Sequence, residues 1–334
     1  MKALVIGGGS IGERHLQNLG FLGVAAAVVE PVADRRETLS TRLAIPAFSS
    51  LDEGLNWQPD FVVIASPTHL HLQHTLKVLS HGLDVFVEKP LSHMRSGLPE
   101  LAELAEKKNI VSLVGCNLRF HPGPQKIKEL LQHSCLGSIL FARIYAGSHL
   151  PGWRPGADYR QGYAAKKETG GGCILDCIHE IDLVRWYLGE VEQVSCMAGH
   201  LSSLEIETED VAAMLFRHTS GAISEVHLDY VQRSYERGCQ IVGENGSLVW
   251  DFNKPEVRWF DGTTGQWVSF VLADGWQVNQ MYVDEMRHFL DCVKERRRTT
   301  LEIAEAVDLM EVVFSAKDSL RTGALTSTLK AVPA

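Results

Sequence analysis

Two segments of the chain bring together side chains suited to moving a proton and steadying a charge. Residues 84–90 read Asp-Val-Phe-Val-Glu-Lys-Pro, an apolar run of the buried-strand type that ends on Glu88, Lys89 and Pro90. Ligands of doubly wound sheets bind beyond the carboxyl ends of the strands, which puts Lys89 where a substrate would lie. Residues 170–182 carry three glycines followed by Asp176, His179, Glu180 and Asp182. On a helix, Asp176, His179 and either Glu180 or Asp182 are neighbours at three- and four-residue spacing. Removing a hydride from a carbinol carbon requires a group to take the hydroxyl proton and a cation beside the developing oxyanion. An acid, an imidazole and an amine converging on a cofactor meet that requirement.

The hydride carrier has its own signature. The first apolar run leads directly into Gly7-Gly8-Gly9-Ser10-Ile11-Gly12, which satisfies G-x-G-x-x-G. Gly7 permits the tight turn, Gly9 lets a pyrophosphate approach the backbone, and Gly12 lets the helix pack closely on the strand. Ser10 and Ile11 open that helix, whose free N–H groups and positive dipole end suit phosphate. A second apolar run ends at Glu30, eighteen residues after Gly12. An acid there accepts hydrogen bonds from the adenosine ribose and repels a 2′-phosphate, so NAD is favoured. Arg35 and Arg36 follow closely and leave NADP as the open alternative.

The elements that must position these groups differ between the two halves. Apolar runs at residues 3–6, 24–29, 61–65, 85–87 and 111–114 alternate with helical periodicity, as at 69–81 and 97–107. Continuous β-branched runs separated by helices predict a parallel sheet covered on both faces. Beyond residue 120, strand patterns follow one another at 139–145, 191–200, 211–218, 222–230, 239–243, 247–251, 257–260 and 267–271, with helices expected at 176–188, 279–296 and 301–322. Turn signals such as Glu244-Asn245-Gly246 separate several strands, so the second sheet is expected to be mostly antiparallel. The expected class is α/β, with a Rossmann domain over residues 1–120 and an α+β domain over residues 121–334.

Composition narrows the partners. The 334 residues carry a net charge of −9, with 45% hydrophobic and 22% charged residues, ordinary for a globular protein. The richest basic run, residues 294–298, is broken by Glu295 and reads as a solvated helix end, so nucleic acid is not an expected partner. No apolar stretch approaches the roughly 20 residues that span a bilayer, and the start of the chain does not read as a secretory signal. Seven scattered cysteines suit no disulfide framework, so a cytoplasmic protein with reduced thiols is expected. Cys173, Cys177 and His179 lie close together, but no second paired ligand set accompanies them, and no metal is expected.

Together these segments resemble the Gfo/Idh/MocA oxidoreductases. The resemblance rests on the glycine loop with Arg14-His15, on Ala65-Ser66-Pro67-Thr68-His69-Leu70-His71, on Glu88-Lys89-Pro90, on Arg119-Phe120-His121-Pro122 and on the glycine–Asp176–His179 segment, in the family's order. It covers essentially the whole chain. It implies hydride transfer between nicotinamide and a hydroxyl or carbonyl carbon of a sugar, inositol or nucleotide-sugar, in a cleft between the domains. A large open C-terminal sheet, used for homodimer or homotetramer contacts, is also implied. By this similarity Lys89 is the catalytic lysine, the Lys89–Pro90 bond is cis, and Asp176 and His179 are the acid and the acid/base histidine. Ser66, Pro67, His71 and Glu88 join Lys89 around the nicotinamide. The commoner family spacing has three residues between that aspartate and histidine; here Cys177 and Ile178 alone intervene.

Further candidates for substrate contact are Arg119, Glu180 and Tyr282. So is the loop containing Trp153, Arg154, Tyr159 and Arg160, whose arginines suit a carboxylate or phosphate. The other reading of this loop is a rigid, aromatic-pinned subunit contact. Two other functions share the fold: a non-catalytic dinucleotide-binding regulator, and an enzyme that uses NAD transiently in hydrolysis or epimerisation.

Overall fold

The computed structural model describes residues 1–328, which divide into two compact units. The first opens with β1 (Lys2–Ile6), α1 (Ser10–Phe21), β2 (Ala25–Val29), α2 (Ala33–Leu43), β3 (Ala47–Phe48), α3 (Leu51–Asn56) and β4 (Phe61–Ile64). It continues through α4 (His71–Ser80), β5 (Asp84–Glu88), α5 (Leu98–Lys107) and β6 (Ser112–Gly115). The six strands pair in parallel in the order β3-β2-β1-β4-β5-β6. Every residue of β4 and β5 is buried, as expected for strands covered on both faces. The order reverses between β1 and β4, and the glycine loop and Ser66 leave the carboxyl ends of those two strands at the switch point. β3 and α3 add to the elements read from the sequence; both are too short to carry a periodic signal.

The second unit contains α6 (Pro122–Gln132), β7 (Ile139–Gly147), α7 (Cys173–Asp176), α8 (Ile178–Leu188), β8 (Val191–Gly199) and β9 (Val211–His218). β10 (Ile223–Asp229), β11 (Glu236–Gly243), β12 (Gly246–Asp251), β13 (Glu256–Asp261) and β14 (Gln266–Val271) follow. Its sheet, nine strands among the described residues, is antiparallel except where β7 pairs with β10. Strand residues alternate across it. Ala212, Met214 and Phe216 of β9 are buried, whereas Leu215 is 55% exposed, as are Met197 (81%) on β8 and Ile223 (46%) on β10. α8 covers the buried face at β7 and β10, and α6 covers it at β12 and β13.

The final elements are α9 (Asn279–Glu295), α10 (Ile303–Thr322) and β15 (Thr326–Ser327), the last pairing with β8. Residues 277–308 pack with residues 1–117 rather than with the second unit, so the division differs from a single boundary at residue 120. The reason is the apolar face of α9. Phe289 stacks edge-on against Phe61 of β4 and Phe86 of β5, at centroid distances of 5.4 and 5.9 Å. Among the described residues, no helix is long and apolar enough to cross a membrane.

Candidate active site

The glycine loop shows why Gly7 and Gly12 must be glycine. Gly7 has φ +101°, and a Cβ on it would lie 2.6 Å from the Ala65 carbonyl oxygen. A Cβ on Gly12 would stand 1.9 Å from the Gly7 oxygen, so only glycine lets α1 start this close to the turn. A Cβ on Gly9 would meet nothing within 4 Å, which leaves the backbone open to a ligand. Ser10 and Ile11 begin α1, and no side chain caps its N-terminus, leaving the first amides available to phosphate.

Glu30 is buried at the end of β2. Its carboxylate accepts from the Gly8 and Val32 amides, each at 2.9 Å, and pairs with Arg35 at 3.2 Å. Arg36 donates to the Glu30 carbonyl. Both arginines, which left NADP open in the sequence, are thus drawn toward the acid they follow. Gly8 was absent from the expected set; its amide fixes the acid, and a Cβ on it would strike Leu39 and Glu30.

Beyond β4, Pro67 precedes a short turn of Thr68–Leu70, and the Ser66 hydroxyl bonds the His74 ring at 3.0 Å. His71 is buried, and both of its ring nitrogens lie 2.8 Å from carbonyl oxygens, those of Ser66 and Pro90. Burial lowers its pKa. His71 therefore ties the turn after β4 to the turn after β5, and in doing so positions Lys89. The Lys89–Pro90 bond is cis, as the resemblance implied. Glu88 is held by His15 of α1 at 2.7 Å and accepts from the Lys89 amide at 3.3 Å. Tyr282, on α9, lies under the Arg14 guanidinium at 4.4 Å; burial and the Glu88 charge raise its hydroxyl pKa, with Arg14 and Lys89 opposing. Asn279 donates to Asn18 of α1 at 2.9 Å.

In the second unit, Asp176 is buried at the end of α7. One carboxylate oxygen accepts from the Tyr163 hydroxyl at 2.8 Å and the other from the Tyr230 hydroxyl at 3.3 Å. Neither tyrosine was expected from the sequence, because they lie 13 and 54 residues from Asp176 in no recognisable motif. Glycines 170 and 172, both at positive φ, lead into α7. The Glu209 carboxylate fills the space beside Gly172 and accepts from the Ile174 amide at 3.3 Å.

The helix expected over residues 176–188 is divided. Cys177, at φ −91° and ψ 37°, separates α7 from α8, so Asp176 and His179 do not share one continuous helical face. His179 is buried in the first turn of α8. Burial raises the Cys173 thiol well above its ordinary value, and the nearby Cys177 and Glu209 add to that.

Several of the substrate candidates have protein partners of their own. Arg119 makes a two-pronged pair with Asp182, at 2.9 and 2.7 Å, in which both side chains are buried. Such a fork satisfies the carboxylate geometry that a substrate acid would have used. Glu180 is wholly buried in an ion pair with Arg237 of β11 at 2.8 Å. Arg160 is bound by Asp158 at 2.8 Å and lies near Glu205, and the Glu205 amide donates to the Tyr159 hydroxyl. Arg160 is thus already engaged by acidic side chains of the protein. Arg154 instead stands 5.7 Å over the Tyr163 ring, and the Trp153 indole N–H donates to Ser148 at 2.7 Å.

Comparison with known proteins follows the same division. A model described as an oxidoreductase family with an NAD-binding Rossmann fold matches residues 1–116, and a GFO/IDH/MocA C-terminal domain model matches residues 125–249. The chain is 24% identical over 338 residues to a scyllo-inositol 2-dehydrogenase (NAD(+)) of Bacillus subtilis, covering 97% of this chain and 95% of that one. It is 24% identical over 257 residues to a 2,7-anhydro-N-acetylneuraminate hydratase of Escherichia coli, covering 75% and 67%. The fold matches levoglucosan dehydrogenase in complex with NADH at a TM-score of 0.91, with 18% identity and 99% of both chains covered. The open Gly9 backbone, the buried Glu30 and the two matched domains converge, and the chain belongs to the Gfo/Idh/MocA oxidoreductases, its N-terminal unit being their NAD-binding Rossmann fold.

Proposed function

We propose that this oxidoreductase moves a hydride between NAD and a hydroxyl-bearing carbon of a sugar or inositol. The observation that carries the reading is the clamp on Asp176, a buried carboxylate fixed by two tyrosine hydroxyls close in sequence to His179. A carboxylate held this way is pre-oriented, and it needs no rearrangement when charge develops nearby. Gly7, Gly9, Ser10, Ile11 and Gly12 hold the pyrophosphate, Glu30 the adenosine ribose, and Ser66, Pro67 and Glu88 frame the nicotinamide, with His71 bracing that frame. NAD bound there would supply the hydride-accepting nicotinamide. Lys89 steadies the substrate oxygen as its charge grows, His179 takes the hydroxyl proton, and Asp176 orients the substrate. The fixed negative charge of Glu30, locked by two amides, supports NAD over NADP.

Replacing Lys89 with Met is expected to lower turnover by about two to four orders of magnitude, with NAD affinity changed little. The assay is NADH formation across a panel of sugars and inositols, with NAD binding followed by fluorescence. Turnover like that of the unmodified protein would sink the assignment.

The hydratase relative favours a second reading, in which NAD is used and restored during net hydration. Substrate would then disappear with no accumulated NADH. The exposed apolar residues of the nine-stranded sheet support a homodimer or homotetramer formed through that face. Seven free cysteines, most of them buried, suit a reducing cytoplasm.

A further inference from the structure

The loop between β7 and α7 encloses a cavity of about 350 Å³ within the second unit. This is near the lower end of small-molecule sites, which run from roughly 300 to 1,000 Å³. Its walls include the rings of Trp153, Tyr159 and Tyr163, with Arg154, Asp158 and Gln161 as the polar groups. Two connections lead from it to the reaction centre. Tyr163 lines the cavity and donates to Asp176 at 2.8 Å. Trp153 also lines it and sets its edge against Tyr230 at 5.2 Å, and Tyr230 donates to the other Asp176 oxygen.

We propose that this cavity is a subsite for a second sugar ring, so that the substrate is a glycoside or disaccharide rather than a free monosaccharide or inositol. The inference rests on Asp176 marking the place where the reacting ring binds. Aromatic rings pack against the C–H faces of a pyranose, and a few polar groups around them bond its hydroxyls. Arg154 stands over the Tyr163 ring at 5.7 Å, and Asp158 on the wall pairs with Arg160 at 2.8 Å, so the cavity sets its polar groups beside aromatic faces. Volume argues for one ring and its substituents, and the position beside the two clamping tyrosines argues for a ring joined directly to the reacting one. A filled cavity would press on Tyr163 directly and on Tyr230 through Trp153, linking occupancy of the subsite to the orientation of Asp176.

The experiment compares kcat/KM, with saturating NAD, for D-glucose against maltose and cellobiose, and for myo-inositol against its galactoside galactinol. A glycoside is expected to exceed its parent by about tenfold or more, and Trp153→Ala to lower that ratio by about tenfold. Ala157→Trp, which fills the cavity from another wall, is expected to lower the ratio similarly. Parents used as well as their glycosides, or a ratio unmoved by both variants, overturns the subsite while leaving hydride transfer intact. Should no sugar yield NADH, the broader reading fails instead. Calorimetric binding of the same glycosides to the NAD-loaded protein then decides: Trp153-dependent binding supports the subsite, and absent or unaffected binding overturns it.

Discussion

His121 stands among three aromatic rings, with centroids 5.2 Å from Trp250, 5.0 Å from Phe252 and 4.5 Å from Trp276. Burial, aided by the Arg237 charge, pushes its pKa down to about 4. Its Nδ1 accepts from the Gly123 amide at 3.0 Å, so the neutral ring also caps α6. Between pH 6.5 and 4 the unfolded chain therefore binds the extra proton, and stability falls as pH drops through that window, by up to about 3 kcal/mol. His121→Asn keeps a capping acceptor but cannot titrate. Denaturant midpoints measured from pH 7 to 4 should show a shallower decline for this variant, and identical slopes would refute the assignment. The Glu180–Arg237 pair makes a second claim on a single residue. Glu180→Gln leaves a buried guanidinium without its counter-charge, and the expected cost is about 3–5 kcal/mol, read as a lowered unfolding midpoint. A midpoint unchanged within error would mean that the pair carries no such weight.

At the scale of elements, the turn into α7 is the most constrained piece of backbone near Asp176. Gly172 has φ +105°, and a Cβ there would approach the Glu209 carboxylate to 2.4 Å. Gly172→Ala is expected to cost about 1–3 kcal/mol of stability and to lower turnover more than NAD affinity, measured by melting and by single-substrate kinetics. Equal loss of cofactor binding would point to general unfolding instead. The parallel strands could be read in advance because their β-branched runs are buried on both faces, and β7 to β14 because turn residues punctuate them. The break at Cys177 could not, since the residue pattern from Asp176 to Leu188 continues as if one helix ran through it. Nor could the Asp176 clamp. Tyr163 comes from a short loop turn and Tyr230 from just beyond β10, so only the tertiary fold brings them to the same carboxylate. The counter-charges of Arg119 and Glu180 were out of reach for one shared reason. Each partner, Asp182 or Arg237, lies far along the chain, so the sequence shows the charge and not what it pairs with.

For the whole molecule, the outer face of the nine-stranded sheet presents Met197, Leu215 and Ile223 to solvent. The proposed homo-oligomer predicts that Leu215→Glu shifts the light-scattering mass toward the monomer, and an unchanged mass would exclude this face as the contact. The placement of α9 reaches into a different matter, the order in which the protein can be made. All six parallel strands have been synthesised by residue 117, yet Phe289, which fills the gap between Phe61 and Phe86, lies far downstream. The growing chain must therefore translate the entire run from 118 to 276 before its first unit can close. During that interval the nascent sheet lacks part of its cover, which makes it the stretch most dependent on chaperone protection. A fragment ending at residue 117 would share the same deficit permanently.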